Sequence, residues 1–107
     1  MDAIIVLSTV GSEELGVEIA AALVENGEAA CVNILPGIRS VYRWKGELCR
    51  DAEHLLIIKS VQGKFDAVRE RIRSLHPYEV PEVLAIPVAA GDADYLQWLR
   101  LAVGATL

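Results

Sequence analysis

The chain has 107 residues, a formal net charge of −5 and 53 % hydrophobic residues. That length fits one domain over residues 1–107, and that apolar content excludes intrinsic disorder, which needs low hydrophobicity with high net charge. The acidic balance argues against nucleic-acid partners and anionic membranes, because both are held by clustered Lys and Arg. A domain this small has little interior relative to its surface, so the apolar excess points either to a buried subunit interface or to a generous core.

Residues 3–9, AIIVLST, form a short run rich in β-branched side chains and predict a buried strand. Ser12 followed by Glu13 and Glu14 marks a helix start: the hydroxyl can accept from an orphan N–H, and the carboxylates suit the positive end of the helix dipole. Leu15, Ile19, Ala22 and Leu23 recur at helical spacing, and Gly27 is the expected stop. Residues 29–35 predict a second strand. Pro36-Gly37 interrupts it, and a bulge or an edge is expected there because Pro has no ladder donor. The strand resumes at Ile38, turns at Lys45-Gly46 and returns from Glu47 to Ser60.

Each arm of this hairpin has about 13 residues, against a usual 5–6. A chain of this size cannot cover both faces of such a ribbon, so its tip is expected to project and pack on another copy. A two-residue turn pairs Trp44 with Glu47, Tyr42 with Cys49, Ser40 with Asp51 and Ile38 with Glu53 on one aromatic and acidic face. Arg39, Arg43 and Arg50 take the opposite face with Val41 and Leu48. One negative and one positive face suit head-to-tail docking of identical subunits in a closed ring; the alternative is a solvated hairpin of mixed charge. The same register holds Cys31 and Cys49 beyond disulfide reach, and Cys31, between Ala30 and Val32, is expected as a buried core thiol.

Residues 63–75 predict a second helix with Phe65, Val68, Ile72 and Leu75 on one face, ended by His76-Pro77. Residues 82–89, with Pro81 and Pro87, predict an edge strand. Asp92 caps a last helix containing Tyr95, Leu96, Trp98 and Leu99. The order βαββαβ plus a C-terminal helix is that of an α+β, ferredoxin-like sandwich. The helices are expected on one face of the sheet, with the other face bare in a single copy.

Residues 76–82, HPYEVPE, hold the densest chemistry. Two prolines stiffen the segment, and His76, Glu79 and Glu82 offer nitrogen and oxygen donors to a divalent cation. The alternative is a rigid connection whose His and Tyr hydrogen-bond locally. His54 reads as a packing or interface residue. No GxSxG, HExxH, CxxC or phosphate-cradling motif occurs, so no enzyme is expected. No run approaches the roughly 20 apolar residues of a membrane span, and no positively charged leader precedes the run Ile4 to Leu7, so a cytoplasmic protein is expected.

Residues 29–47 (AACVNILPGIRSVYRWKGE), the return strand ending at Lys59, residues 76–82 and the tail 94–98 (DYLQW) together resemble the CutA family of divalent-cation tolerance proteins. The resemblance implies a tight homotrimer, similar in assembly to PII-type signalling proteins, in which the long hairpin joins the subunits. It implies clefts between subunits for small ligands or metals. Tyr42, Trp44, Glu53, Lys59 and Tyr78 are the residues it would place around such a cleft, beside His76 and Glu82. It further implies a response to metal ions, with copper as the candidate divalent metal. Relatives linked to copper carry Cys where Ser8 stands and His where Leu75 stands; of that set this chain keeps His76. Two alternatives are a PII-like sensor of a nucleotide or other small molecule, and a structural protein whose trimer is itself the function.

Overall fold

Alternation of side chains along β1 (Ala3–Val10) gives the sheet its two faces. The structure, a computed structural model, describes residues 2–104. After β1 come α1 (Glu13–Glu25), β2 (Cys31–Trp44), β3 (Glu47–Val61), α2 (Phe65–Leu75), β4 (Leu84–Pro87) and α3 (Ala93–Ala102). The sheet order is β2-β3-β1-β4, and every neighbouring pair is antiparallel. Each βαβ unit therefore straddles a strand of the other, which is the ferredoxin-like arrangement expected from the element order.

Local chemistry accounts for most boundaries. The Ser12 hydroxyl accepts from Leu15 N at 3.1 Å, and the Asp92 carboxylate accepts from Tyr95 N at 3.1 Å. α1 ends with Gly27 at φ 67°, where Glu28 N donates to Leu23 O and Gly27 N to Val24 O. That bond pair is a Schellman closure and needs the left-handed residue glycine supplies. A 3₁₀ turn over Gln62–Lys64 precedes α2, which therefore starts two residues later than expected. β4 is shorter than the expected 82–89: it pairs with β1 from Leu84 to Pro87, and Val88 N donates to Ala3 O just beyond.

Ile4, Val6 and Val10 of β1 and Leu56 and Ile58 of β3 form one face of the sheet. They pack with Ile19 and Leu23 of α1 and with Val68 and Ile72 of α2 into the main core. Arg71 of α2 clamps Glu28 with two hydrogen bonds of 2.9 and 3.2 Å, tying α2 to the segment that leaves α1.

α3 corrects the expectation that all helices share a face. Its Leu99 packs with Ala3, Val61 and Ala30. Ala3 and Val61 are paired residues of opposite parity to Ile4 and Ile58, so α3 covers one end of the other face. α1 and α2 already fill their side, and Gly104 N, just after α3, donates to Gly27 O at 2.7 Å in the loop after α1. The rest of that second face is apolar and open. Ile5, Leu7, Leu55 and Ile57 are half-buried, and Leu35, Leu84 and Ile86 are exposed. Cys31 lies on this face, opposite Lys59, and is half-buried rather than a core thiol. Its neighbour Val32 takes the inward position, since adjacent strand residues face opposite ways.

The hairpin has the expected register at every pair from Ile38↔Glu53 to Trp44↔Glu47, with the bulge falling between Leu35 and Ile38. Lys45 at φ 50° and Gly46 at φ 80° form a left-handed two-residue turn that matches the twist of the arms. Val41 and Leu48 remain exposed on the arginine face. Ile72→Ala is expected to lower the unfolding free energy by about 2–5 kcal/mol through the cavity it opens. Gly46→Ala, which puts a Cβ into the left-handed turn, should lower it by about 1–2 kcal/mol. Denaturant unfolding at one fixed protein concentration measures both.

Candidate functional site: an acidic aromatic cleft

α2 stops at His76, which takes extended backbone (φ −83°, ψ 132°) ahead of Pro77. The His76 ring is buried. Its Nδ1 accepts from Tyr78 N at 3.2 Å, which leaves the proton on Nε2, and Nε2 donates to Thr9 O at 2.7 Å. The ring also packs against Tyr78 with centroids 4.4 Å apart. His76 thus pins the connection to the end of β1, and the local hydrogen-bonding reading of this segment describes its geometry.

From that anchor Tyr78 reaches the hairpin and donates to Glu53 Oε2 at 2.8 Å. Glu53 is only 6 % exposed, an unusual place for a carboxylate. On the neighbouring arm the Tyr42 phenol donates to Asp51. Burial, then the Glu53 carboxylate, pushes the Tyr78 phenol up to about 12. The hydrogen bond to Asp51 is the main cause that pushes Tyr42 up to about 12. Both phenols are therefore neutral donors at ordinary pH, and they hold the carboxylates without cancelling their charge.

These groups line a cleft of about 900 Å³ walled by Tyr42, Trp44, Asp51, Glu53, Tyr78, Glu79 and Glu82, with Thr9 and Gly11 at its base. Lys45 stands near its edge, its Nζ 5.6 Å from the Trp44 ring centroid and 3.8 Å from Glu79. Among the described residues no ion pair reaches Asp51, Glu53 or Glu82.

The structure brings together Tyr42, Trp44, Glu53, Tyr78, Glu79 and Glu82 of the expected site residues. It does not bring Lys59, which lies six residues from Glu53 along β3, about 20 Å at strand rise. Lys59 instead lines a separate pocket of about 180 Å³ under α3, its Nζ 6.0 Å from the Tyr95 ring centroid. Nor are His76, Glu79 and Glu82 assembled as three metal donors. Both imidazole nitrogens are engaged, and among the described residues no three His, Cys, Asp or Glu side chains gather closely enough to hold an ion. Asp51, placed on the acidic hairpin face from the sequence but not among the expected site residues, joins the wall. Its bond to Tyr42 runs diagonally across the ladder, because the residue directly opposite Tyr42 is Cys49. His54 is half-buried with Nδ1 unpartnered among the described residues, consistent with a packing role.

The profile of the family described as CutA1 divalent ion tolerance protein matches residues 4–102. The chain belongs to the CutA1 family. The divalent-cation tolerance protein CutA of Thermus thermophilus is 53 % identical over 96 residues, covering 90 % of this chain and 93 % of that protein. A solved structure of a Thermus thermophilus divalent cation tolerance protein superposes with a TM-score of 0.93 at 51 % identity, covering 95 % of this chain and 99 % of the other. The chloroplastic protein CutA 1 of rice is 46 % identical over 97 residues, covering 91 % of this chain but only 55 % of the relative. The chain thus spans about half the length of that plant relative. The structure described as periplasmic divalent cation tolerance protein CutA, from Archaeoglobus fulgidus, has a TM-score of 0.92 at 35 % identity over 94 % of this chain and 98 % of that one. The family resemblance read from the hairpin and the HPYEVPE segment is therefore shown, and so is the fold. Among the described residues of this CutA1 chain, no helix is long and apolar enough to cross a membrane.

The raised phenols carry a pH signature. A Tyr whose folded pKa lies above its unfolded value of about 10 contributes stability that is complete below that value. The contribution is lost as pH rises toward about 12. Stability should therefore fall over that window, and the double variant Tyr42→Phe/Tyr78→Phe should flatten the fall. Alkaline denaturation followed alongside tyrosinate absorbance checks this.

Proposed function

We propose that this CutA1-family protein acts in divalent-cation tolerance as a non-catalytic homotrimer whose acidic cleft responds to cations. The observation that carries the reading is the uncompensated charge of Asp51, Glu53 and Glu82 in one cleft. A cation there would offset the cost of holding the Glu53 carboxylate away from water. Glu79 and Glu82 are the metal-facing carboxylates in this reading. His76 serves as a positioning residue that sets the segment carrying them. The carboxylate oxygens of this wall suit a hard or borderline ion that keeps part of its water. Copper held directly by His76 would first require Thr9 O or Tyr78 N to be released.

Two surfaces support the trimer. The open sheet face carries Leu35, Leu84 and Ile86 exposed beside half-buried Leu55 and Ile57. The hairpin carries Arg39, Arg43 and Arg50 with exposed Val41 and Leu48 on the side away from the cleft. Different patches that complement each other favour a head-to-tail closed ring. The free cysteines Cys31 and Cys49 fit a reducing compartment such as the cytoplasm.

A small-molecule sensor is the second reading, favoured by the volume of the cleft, which lies within the range of small-ligand sites. Its acidic walls disfavour a nucleotide phosphate. The purified protein titrated with Cu²⁺, Zn²⁺ and Mg²⁺ by calorimetry, with its mass measured in solution, tests the proposal. A mass of three 11.6 kDa chains is expected. Saturable ion binding should weaken about tenfold in Glu79→Gln/Glu82→Gln. A monomer, or ion binding indifferent to that double variant, would overturn it. A trimer without any saturable ligand would leave a purely structural assembly.

A further inference from the structure

The cleft is wider than a bare ion needs, and its walls are aromatic as well as acidic. A hard divalent cation is held by about six oxygens converging at roughly 2.0–2.6 Å. No such gathering exists among the described residues. The cleft instead spans about 900 Å³ and sets the rings of Tyr42, Trp44 and Tyr78 beside its carboxylates. Aromatic faces attract a positively charged nitrogen, and they also cover the apolar carbons of an alkyl chain. To a hydrated metal ion the rings offer no ligand, and only the carboxylates would serve.

The chain already displays the interaction at the edge of the cleft. The Lys45 ammonium lies 5.6 Å from the centroid of the Trp44 ring and 3.8 Å from Glu79. It is a primary alkyl ammonium between an aromatic ring and a carboxylate. Deeper in, Glu53 is almost wholly buried, and its hydrogen-bond partner is the neutral phenol of Tyr78. A buried carboxylate held only by neutral groups retains its full demand for a counter-charge. The acids come in two banks, Asp51 and Glu53 from β3 and Glu79 and Glu82 from the segment after α2.

We propose that this cleft recognises an organic ammonium, an alkyl amine or diamine whose charged nitrogens sit between carboxylates and aromatic faces. The inference rests on reading the cleft as a cation site, and it names the ligand class. Two banks of acids suit a diamine, with one ammonium at each bank and the methylene chain along the rings. Anionic metabolites are excluded by the same charge.

The native assembly is titrated by calorimetry at constant ionic strength with 1,4-diaminobutane, with the uncharged 1,4-butanediol and with Mg²⁺, and its mass is checked for every variant. Saturable diamine binding without diol binding is expected. Trp44→Leu should weaken it about three- to tenfold, as loss of a cation–π contact does. Glu53→Gln should weaken it further. Lys45→Met, at an exposed turn position, removes the internal competitor and should tighten it severalfold at unchanged mass. Diamine binding without Mg²⁺ binding supports the ammonium ligand and removes the metal. Mg²⁺ binding without diamine binding overturns the ammonium ligand alone. Binding of neither overturns the cation cleft itself. Diamine binding indifferent to Trp44→Leu, or weakened by Lys45→Met, overturns recognition by the aromatic wall.

Discussion

The double pairing of β3 is the constraint on which the rest of the molecule depends. From His54 to Val61 it bonds to β1 on one side, and from Glu47 to Lys59, across the bulge, to β2 on the other. One uninterrupted strand therefore carries Leu56 and Ile58 into the core and Glu53 into the cleft. Side chains alternate with period two, so a slip of one residue would turn those core residues outward and bring Leu55, Ile57 and Lys59 in. The bulge at Pro36-Gly37 lets β2 follow β3 despite a proline that cannot donate to the ladder.

A second layer of order comes from polar groups that tie distant segments together. His76 joins the end of α2 to Thr9 of β1, Tyr78 joins the same connection to Glu53, and Arg71 joins α2 to Glu28. None of these is a large term alone, since a typical hydrogen bond nets about 1 kcal/mol. Their effect is positional: they set Glu79 and Glu82 opposite the acidic edge of the hairpin. The same bonds explain why the imidazole acts as a fastener. A ring with one nitrogen donating and the other accepting has no lone pair left for a metal.

Much of this was legible in the residues because it is decided locally. Ser12 and Asp92 cap their helices, Gly27 closes α1, Lys45-Gly46 turns the hairpin, and the turn length dictates the pairing of both arms. The family was legible for a related reason, because its markers lie in the hairpin and in the seven residues 76–82, both contiguous stretches. Acidic and aromatic residues on one hairpin face follow from alternation alone.

The sequence by itself determined the elements, the hairpin register and the membership of the cleft's hairpin wall, since caps, turns and strand alternation act over a few residues. The tertiary structure decided that α3 covers the face opposite α1 and α2, and that Lys59 belongs to a different pocket from Glu53. It decided that Cys31 points to the open face and that both nitrogens of His76 are engaged. Each of these depends on which surface remained unfilled, or on which backbone carbonyl arrived from dozens of residues away. Long-range packing settles such questions, and residue spacing carries no record of them.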